Sequence, residues 1–275
     1  QGLKKLKMTD SALNKTKISD RDCNKRDTTL ASVVIATHNR ADLLNKAVRS
    51  ILDQAYQDFE IIIIDDASDD DTEQVIKSFN NTKIIYHRNQ VKAGLSAARN
   101  RALTFSSGQY VVFMDDDSLL KDDFLKILSR IVTESKIYAL SARMVDAKTQ
   151  QPYVVHFNNI EKKYLGYFDF KYFMGGAHII HRNIIKKVGH YDERFGVGSK
   201  YYASEESDYF FRIKQYGEKV LYCPELVVYH PSENNPSASK VFGYSCGLAA
   251  VITKHLISDI ANFHYYFLII SRRLI

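Results

Sequence analysis

Along the chain, short continuous apolar runs alternate with longer stretches in which apolar positions recur every three to four residues. Ala31–Ala36, Phe59–Ile64 and Val111–Met114 are continuous runs rich in β-branched residues. Such runs predict strands of a sheet covered on both faces. Lys83–Tyr86 predicts another strand, and Leu221–Tyr229 reads as strand-like further on. Between the early runs, Ala41–Gln54 places Leu43, Leu44, Ala47, Val48, Ile51 and Leu52 at the helical period. Asp71–Phe79, Gly94–Ser106 and Asp122–Thr133 read as further helices. Strands alternating with helices of this length predict right-handed βαβ crossovers, hence an α/β fold with a mostly parallel sheet.

In a parallel sheet the C-terminal strand ends face one side, and ligands sit in the crevice beyond them. Three ends here are polar: Thr37-His38-Asn39-Arg40, Asp65-Asp66-Ala67-Ser68 and the triplet Asp115, Asp116, Asp117. Their convergence predicts a nucleotide site. Three adjacent carboxylates repel one another without a cation, and hard oxygen ligands suit Mg²⁺ or Mn²⁺, which in turn clamp phosphates. A polar turn with one Asp as helix N-cap is the plainer reading of any one of these ends. No GxGxxG follows the first strand, which speaks against a dehydrogenase.

The stretch SVVIATHNRADLLNKAVRSILDQAYQDFEIIIIDDASDDDT resembles the opening of family-2 glycosyltransferases of the GT-A fold. GLSAARNRAL resembles the family's Gly…Ala-Arg-Asn helix, and FMDDDSLL its DxD metal motif. GHYDERF and SEESDYFFR resemble two later blocks, so the match runs over about residues 31–231 in the family's order. The resemblance implies a Rossmann-like nucleotide-diphospho-sugar transferase sheet with helices on both faces and a C-terminal helical extension. It implies that Thr37, Asn39 and Arg40 line the nucleotide, Asp66 meets the base edge and Arg99 lies against base or diphosphate. Asp115 and Asp116 would serve the donor, with Asp115 on the ribose. Asp117, Asp115 and His230 would serve the metal, Mn²⁺ or Mg²⁺.

The reaction implied is inverting sugar transfer, which needs a base for a weakly acidic acceptor hydroxyl. By motif position that base is Glu206, where the family carries Asp; Glu205 and Asp208 are the substitutes. Met174-Gly175-Gly176-Ala177 resembles a turn beneath the acceptor cleft, where glycine lets the backbone approach a sugar. The implied donor is a nucleotide-diphosphate sugar, UDP-linked first and dTDP-linked second. The implied acceptor is a glycan, plausibly lipid-linked, of bacterial surface polysaccharide such as capsule or lipopolysaccharide. Two rivals stand beside this reading. A nucleotidyltransferase should carry a Gly-rich basic loop after the first strand, which THNR lacks; a catalytically silent glycan-binding module would have little use for the acidic constellation.

Charge refines the picture. The net +6 sits at the ends: residues 1–30 carry +4, residues 254–275 carry +2, and the middle is neutral. A neutral body argues against a nucleic-acid groove and fits attraction of the termini to anionic lipid headgroups, or simply solvated basic tails. The three cysteines, Cys23, Cys223 and Cys246, are far apart and odd in number, which favours a reducing compartment. No continuous apolar run approaches the ~18 residues of a transmembrane helix. The closing FHYYFLIISRRLI, with Arg272 and Arg273, predicts either a packing helix or one lying on a bilayer; the family resemblance implies a cytoplasmic protein, and the second option would set it at the inner membrane face. Gln1-Gly2 in place of Met reads as a protease-tag remnant, with native residues then expected to be missing from either end. The expected organisation is a basic lead-in over 1–30, a catalytic domain over 31–238 and a C-terminal segment over 239–275. The catalytic domain would divide into a nucleotide half, 31–118, and an acceptor half, 119–238.

Overall fold

The structure, a computed structural model, describes residues 29–158, 160–173, 176, 178–232 and 236–271. The basic lead-in up to residue 28, Cys23, Met174, Gly175, Ala177, Arg272 and Arg273 lie outside the described residues. Four strands carry the first half: β1 (Ala31–Thr37), β2 (Phe59–Asp65), β3 (Ile84–Arg88) and β4 (Tyr110–Asp115). They pair in parallel in the order β3-β2-β1-β4, so Thr37 stands opposite Asp65 and Ala36 opposite Asp115. The three polar strand ends therefore converge.

The strands are mostly apolar because both sheet faces are covered. Val34, Ile62, Ile64, Val111 and Phe113 face one core, and their alternates Val33, Ile35, Ile61, Ile63, Val112 and Met114 face the other. The second core is closed by α1 (Ala41–Leu52), by Ile76 of α2 (Thr72–Ser78) and by α4 (Phe124–Glu134). The first is closed by α3 (Leu95–Leu103), α5 (Arg182–Val188), α6 (Glu205–Gln215), α7 (Ala238–Ser258) and α8 (Phe263–Ser271).

The second half adds β5 (Leu119–Leu120), β6 (Ala139–Asp146), β7 (Lys163–Tyr164), β8 (His178–His181) and β9 (Val220–His230). The order β4-β8-β6-β9-β5 extends the sheet, with β8 antiparallel to both neighbours, β6 and β9 parallel, and β5 and β7 antiparallel on β9. The sheet is thus mostly parallel, as the sequence predicts, with antiparallel additions that its early βαβ rhythm does not announce.

Two features of the tail bear on its expected roles. Among the described residues, α7 is one helix long and apolar enough, by length and composition, to cross a membrane. Its glycines, alanines and serines break any continuous apolar run, yet only Lys240 and Lys254 carry full charge along it. It packs on the domain through Gly247, Leu248, Val251, Ile252 and His255. The helix α8 packs on the domain through one face: Tyr266 and Ile269 are buried in the core and Tyr265 stacks on Tyr167 at 4.8 Å, while Phe267 stays exposed. Burying two large side chains is worth about 1.5–3 kcal/mol each. Removing residues 263–275 is therefore expected to lower the melting temperature by on the order of 10 °C. Loss of vesicle binding with unchanged melting would restore the surface-helix reading.

Candidate active site

Immediately after the aspartate triplet the chain turns back into β5, whose Leu119 pairs with Tyr229 next to His230. That short pairing brings two distant segments together. Asp115, Asp117 and His230 offer ligand atoms that all lie within 4.8 Å of one another. His230 Nε2 stands 3.3 Å from Asp117 Oδ1 and 3.9 Å from Asp115 Oδ2. Its Nδ1 lies 2.8 Å from the Pro231 carbonyl, to which it donates, so Nε2 is the nitrogen turned toward the carboxylates. Burial pushes the imidazole pKa down, but the carboxylates of Asp117 and Asp115 outweigh it and raise it. Asp117 Oδ1 is buried and accepts no well-aligned hydrogen bond. Burial also drives Asp115 up, Arg99 and His230 opposing it and Asp117 and Glu206 adding to it. A divalent cation fits this set, since it would ligate the orphaned oxygen and relieve the crowding of negative charge.

Asp116, in the turn just after β4, faces the end of β1 instead. It accepts from Thr37 Oγ1 at 2.7 Å and from Arg40 Nη1 at 3.0 Å. Burial lifts its pKa to about 6, against the opposing pull of Arg40 and Thr37. Arg40, half-exposed, also reaches Asp117 Oδ2 at 3.0 Å and so ties the first strand end to the metal-type group.

Arg99 is fully enclosed and joins the two acidic regions. Its Nη2 donates to Asp115 Oδ1 at 3.0 Å, and its Nη1 to Glu206 Oε1 at 2.9 Å and Glu205 Oε1 at 3.1 Å. The guanidinium lies over the Tyr191 ring, 5.6 Å from its centroid. Both glutamates sit in the first turn of α6, after Ser204 in the left-handed region at φ 71°. Gly196, at φ +101°, makes room for them: a Cβ there would lie 3.3 Å from Glu205 Cδ and 2.9 Å from Ser96 Oγ. Burial, then the charge of Glu206, raises Glu205 well above the ordinary range. Burial acts on Glu206 too, but Arg99 and its bond with Glu205 hold it below that range. The two glutamates are thus driven in opposite directions, Glu205 up by burial and Glu206 down by Arg99, while both bond the same guanidinium as Asp115.

The remaining expected residues shape the loops. Asn39, at φ 55°, donates its N–H to Ser68 Oγ at 2.9 Å, and its Oδ1 accepts from Asp69 N at 2.7 Å. Asp66 accepts from Asn89 Nδ2 and from the Ala93 and Gly94 amides at 2.6–2.8 Å, pinning the loop before α3. Two expectations are corrected. Arg99 does not lie open for a base or diphosphate, because it is buried and bonded to three carboxylates. Asp208 does not face the crevice: it is wholly buried, held by Arg212 Nε and His255 Nε2 at 2.9 Å and by Lys254 Nζ at 2.5 Å. Sequence reasoning also passed over Tyr191, Lys254 and His255. Tyr191 sits inside the GHYDERF block and could have been singled out there; the tail residues carry no local signal.

The sequence profile described as Glycosyl transferase family 2 matches residues 32–189. The chain belongs to this family. Within family 2, it is 41% identical over 88 residues to the Escherichia coli UDP-Glc:alpha-D-GlcNAc-diphosphoundecaprenol beta-1,3-glucosyltransferase WfaP, a match covering 32% of this chain and 35% of WfaP. It is 36% identical over 118 residues to the Campylobacter jejuni GalNAc(5)-diNAcBac-PP-undecaprenol beta-1,3-glucosyltransferase, covering 42% of this chain and 38% of that protein. The chain thus spans little more than a third of either relative. Staphylococcus aureus TarS 1-349 in complex with UDP-GlcNAc superposes with a TM-score of 0.69 at 16% identity, covering 86% of this chain and 69% of that one. The mannosyltransferase PcManGT from Pyrobaculum calidifontis, in complex with GDP-Man and Mn²⁺, gives 0.67 at 18% identity, covering 82% and 64%. These likenesses establish the shared GT-A fold. Glu205, Glu206 and His230 lie beyond the matched profile segment.

Proposed function

We propose that this protein transfers one sugar, with inversion, from a UDP-sugar to a lipid-linked glycan in surface polysaccharide synthesis at the inner membrane face. The observation that carries the reading is Glu206 bonded at 2.9 Å to the same buried Arg99 that holds Asp115 of the metal-type group at 3.0 Å. Residues 31–118 hold the nucleotide and 119–238 the acceptor. Thr37, Asn39, Arg40 and Asp66 shape the nucleotide pocket through their loops. Asp115, Asp117 and His230 would hold Mn²⁺ or Mg²⁺, which when bound offsets negative charge on the departing diphosphate as a Lewis acid. Glu206 takes the acceptor hydroxyl proton as that oxygen attacks the anomeric carbon, and the nucleoside diphosphate leaves from the opposite face. Attack opposite the leaving group inverts the configuration. Burial favours the neutral form of Glu205, which would keep the second charge out of the pocket.

UDP is chosen because WfaP is named for UDP-Glc and TarS holds UDP-GlcNAc. The lipid-linked acceptor is chosen because both bacterial relatives are named for undecaprenol diphosphate substrates. Peripheral membrane contact is supported by Phe242, Ile257 and Phe267, which α7 and α8 leave exposed. The Asp117→Ala variant is expected to lose Mn²⁺-dependent UDP binding in calorimetry while remaining folded, since it removes a ligand oxygen and leaves both apolar cores untouched. Retained Mn²⁺ dependence would remove Asp117 from the metal set.

A further inference from the structure

The base-bearing turn is held from outside the matched family segment. The backbone before α6 is strained: Tyr202 and Ser204, neither a glycine, both lie in the left-handed region at φ 61° and 71°. Such a conformation persists only where its surroundings over-determine it. The surroundings here are α7. A Cβ on Gly247 would lie 2.8 Å from the carbonyl oxygens of both Tyr201 and Ala203. The helix therefore presses its backbone directly on the strained segment. One turn earlier, a Cβ on Gly243 would lie 2.7 Å from the Tyr202 ring.

Two turns after Gly247, Lys254 Nζ bridges Asp192 Oδ2 at 2.9 Å and Asp208 Oδ1 at 2.5 Å. Asp208 sits on α6 two residues after Glu206, and its N–H donates to the Ser204 carbonyl at 3.0 Å. Asp192 follows Tyr191, whose ring lies against Arg99. His255 adds a second grip: Nε2 donates to Asp208 Oδ1 while Nδ1 accepts from Gln215 Nε2 at 2.8 Å. One helix thus touches the strained lead-in, the first turn of α6 and the loop that backs Arg99.

We propose that α7 is a splint for the catalytic carboxylates, with Gly247 and Lys254 as positioning residues that act through Glu206. This rests on the sugar-transfer reading. Neither residue touches the strand ends that shape the donor pocket, so donor binding should be spared while the base is displaced. A shift of about 1 Å at a reacting group can cost on the order of 10²-fold in rate.

The test measures turnover and Mn²⁺-dependent UDP affinity for Gly247→Ala and Lys254→Met in the full chain. Turnover is expected to fall by about 10–100-fold with affinity within about twofold, and Lys254→Arg to recover part of the loss. In a Glu206→Gln background neither substitution should lower turnover further, because a positioning residue has nothing left to position. If Lys254→Met fails to fold, Asp192→Asn decides: it frees the loop end of the bridge while Lys254, Arg212 and His255 still neutralise Asp208. Unchanged turnover, or a loss repeated in full in the Glu206→Gln background, overturns the splint. Absence of turnover in the wild-type chain would instead overturn the sugar-transfer reading.

Discussion

Glu206→Gln is expected to lower turnover by about 10²–10⁴-fold, the usual worth of a positioned general base, with donor affinity nearly unchanged. Gln keeps the side-chain length and its bond to Arg99 but cannot take a proton. The sign of the pH dependence follows from the direction of the shift. Arg99 holds Glu206 below the ordinary carboxylate range, so the base is ionised throughout neutral pH. Its loss of activity should appear only on the acid side, as pH falls through that lowered value. The variant should lack this acid limb. Glu205→Gln should cost much less, since burial already favours the neutral form of Glu205. Equal turnover of wild type and Glu206→Gln, with a large loss in Glu205→Gln, would exchange the two roles.

Arg99→Met is expected to be the most destabilising single substitution at the site. The guanidinium is buried and bonded to Asp115, Glu205 and Glu206. Removing one partner from a buried ion group typically costs about 3–5 kcal/mol, because the others stay buried without compensation. Against a total stability of about 5–15 kcal/mol for a native domain, that is enough to bring the chain close to unfolding. Urea denaturation measures it directly. Adding Glu205→Gln should change the balance little, as burial already favours the neutral form of that group, whereas lowering the pH should recover stability by protonating the stranded carboxylates. A loss below about 1 kcal/mol would mean that solvent, rather than Arg99, carries those charges.

Much of the nucleotide half could be read from the chain because its strands are buried on both faces. Phe59–Ile64 has no polar alternation to confuse, and its end at Asp65 is abrupt. The second half is harder for a physical reason. Strand β6, ALSARMVD, mixes polar and apolar residues, and Ser141 is tolerated in the core only because its hydroxyl bonds the Tyr172 carbonyl. Nothing near Ser141 in sequence announces that partner. Arg99 shows the same limit: its helix could be read from the apolar period, but its burial depends on glutamates more than a hundred residues later. For Asp208, position in an acidic motif pointed to the crevice, whereas Lys254 and His255, from a helix with no chemical signature, draw it the other way. Tyr266 follows the same logic, since α8 has an apolar composition on every side and only the ring of Tyr167 and the surrounding core decide which face is buried.

The most direct test of sugar transfer is nucleoside diphosphate release from a panel of UDP-, dTDP- and GDP-sugars by the purified chain. The assay would contain Mn²⁺ and a polyprenyl-diphosphate-linked sugar acceptor, with product anomeric configuration read by NMR. Release from a UDP-sugar, abolished by EDTA and giving an inverted linkage, is the expected result. Failure of every donor to turn over, together with failure of UDP and Mn²⁺ to raise the melting temperature, would contradict it.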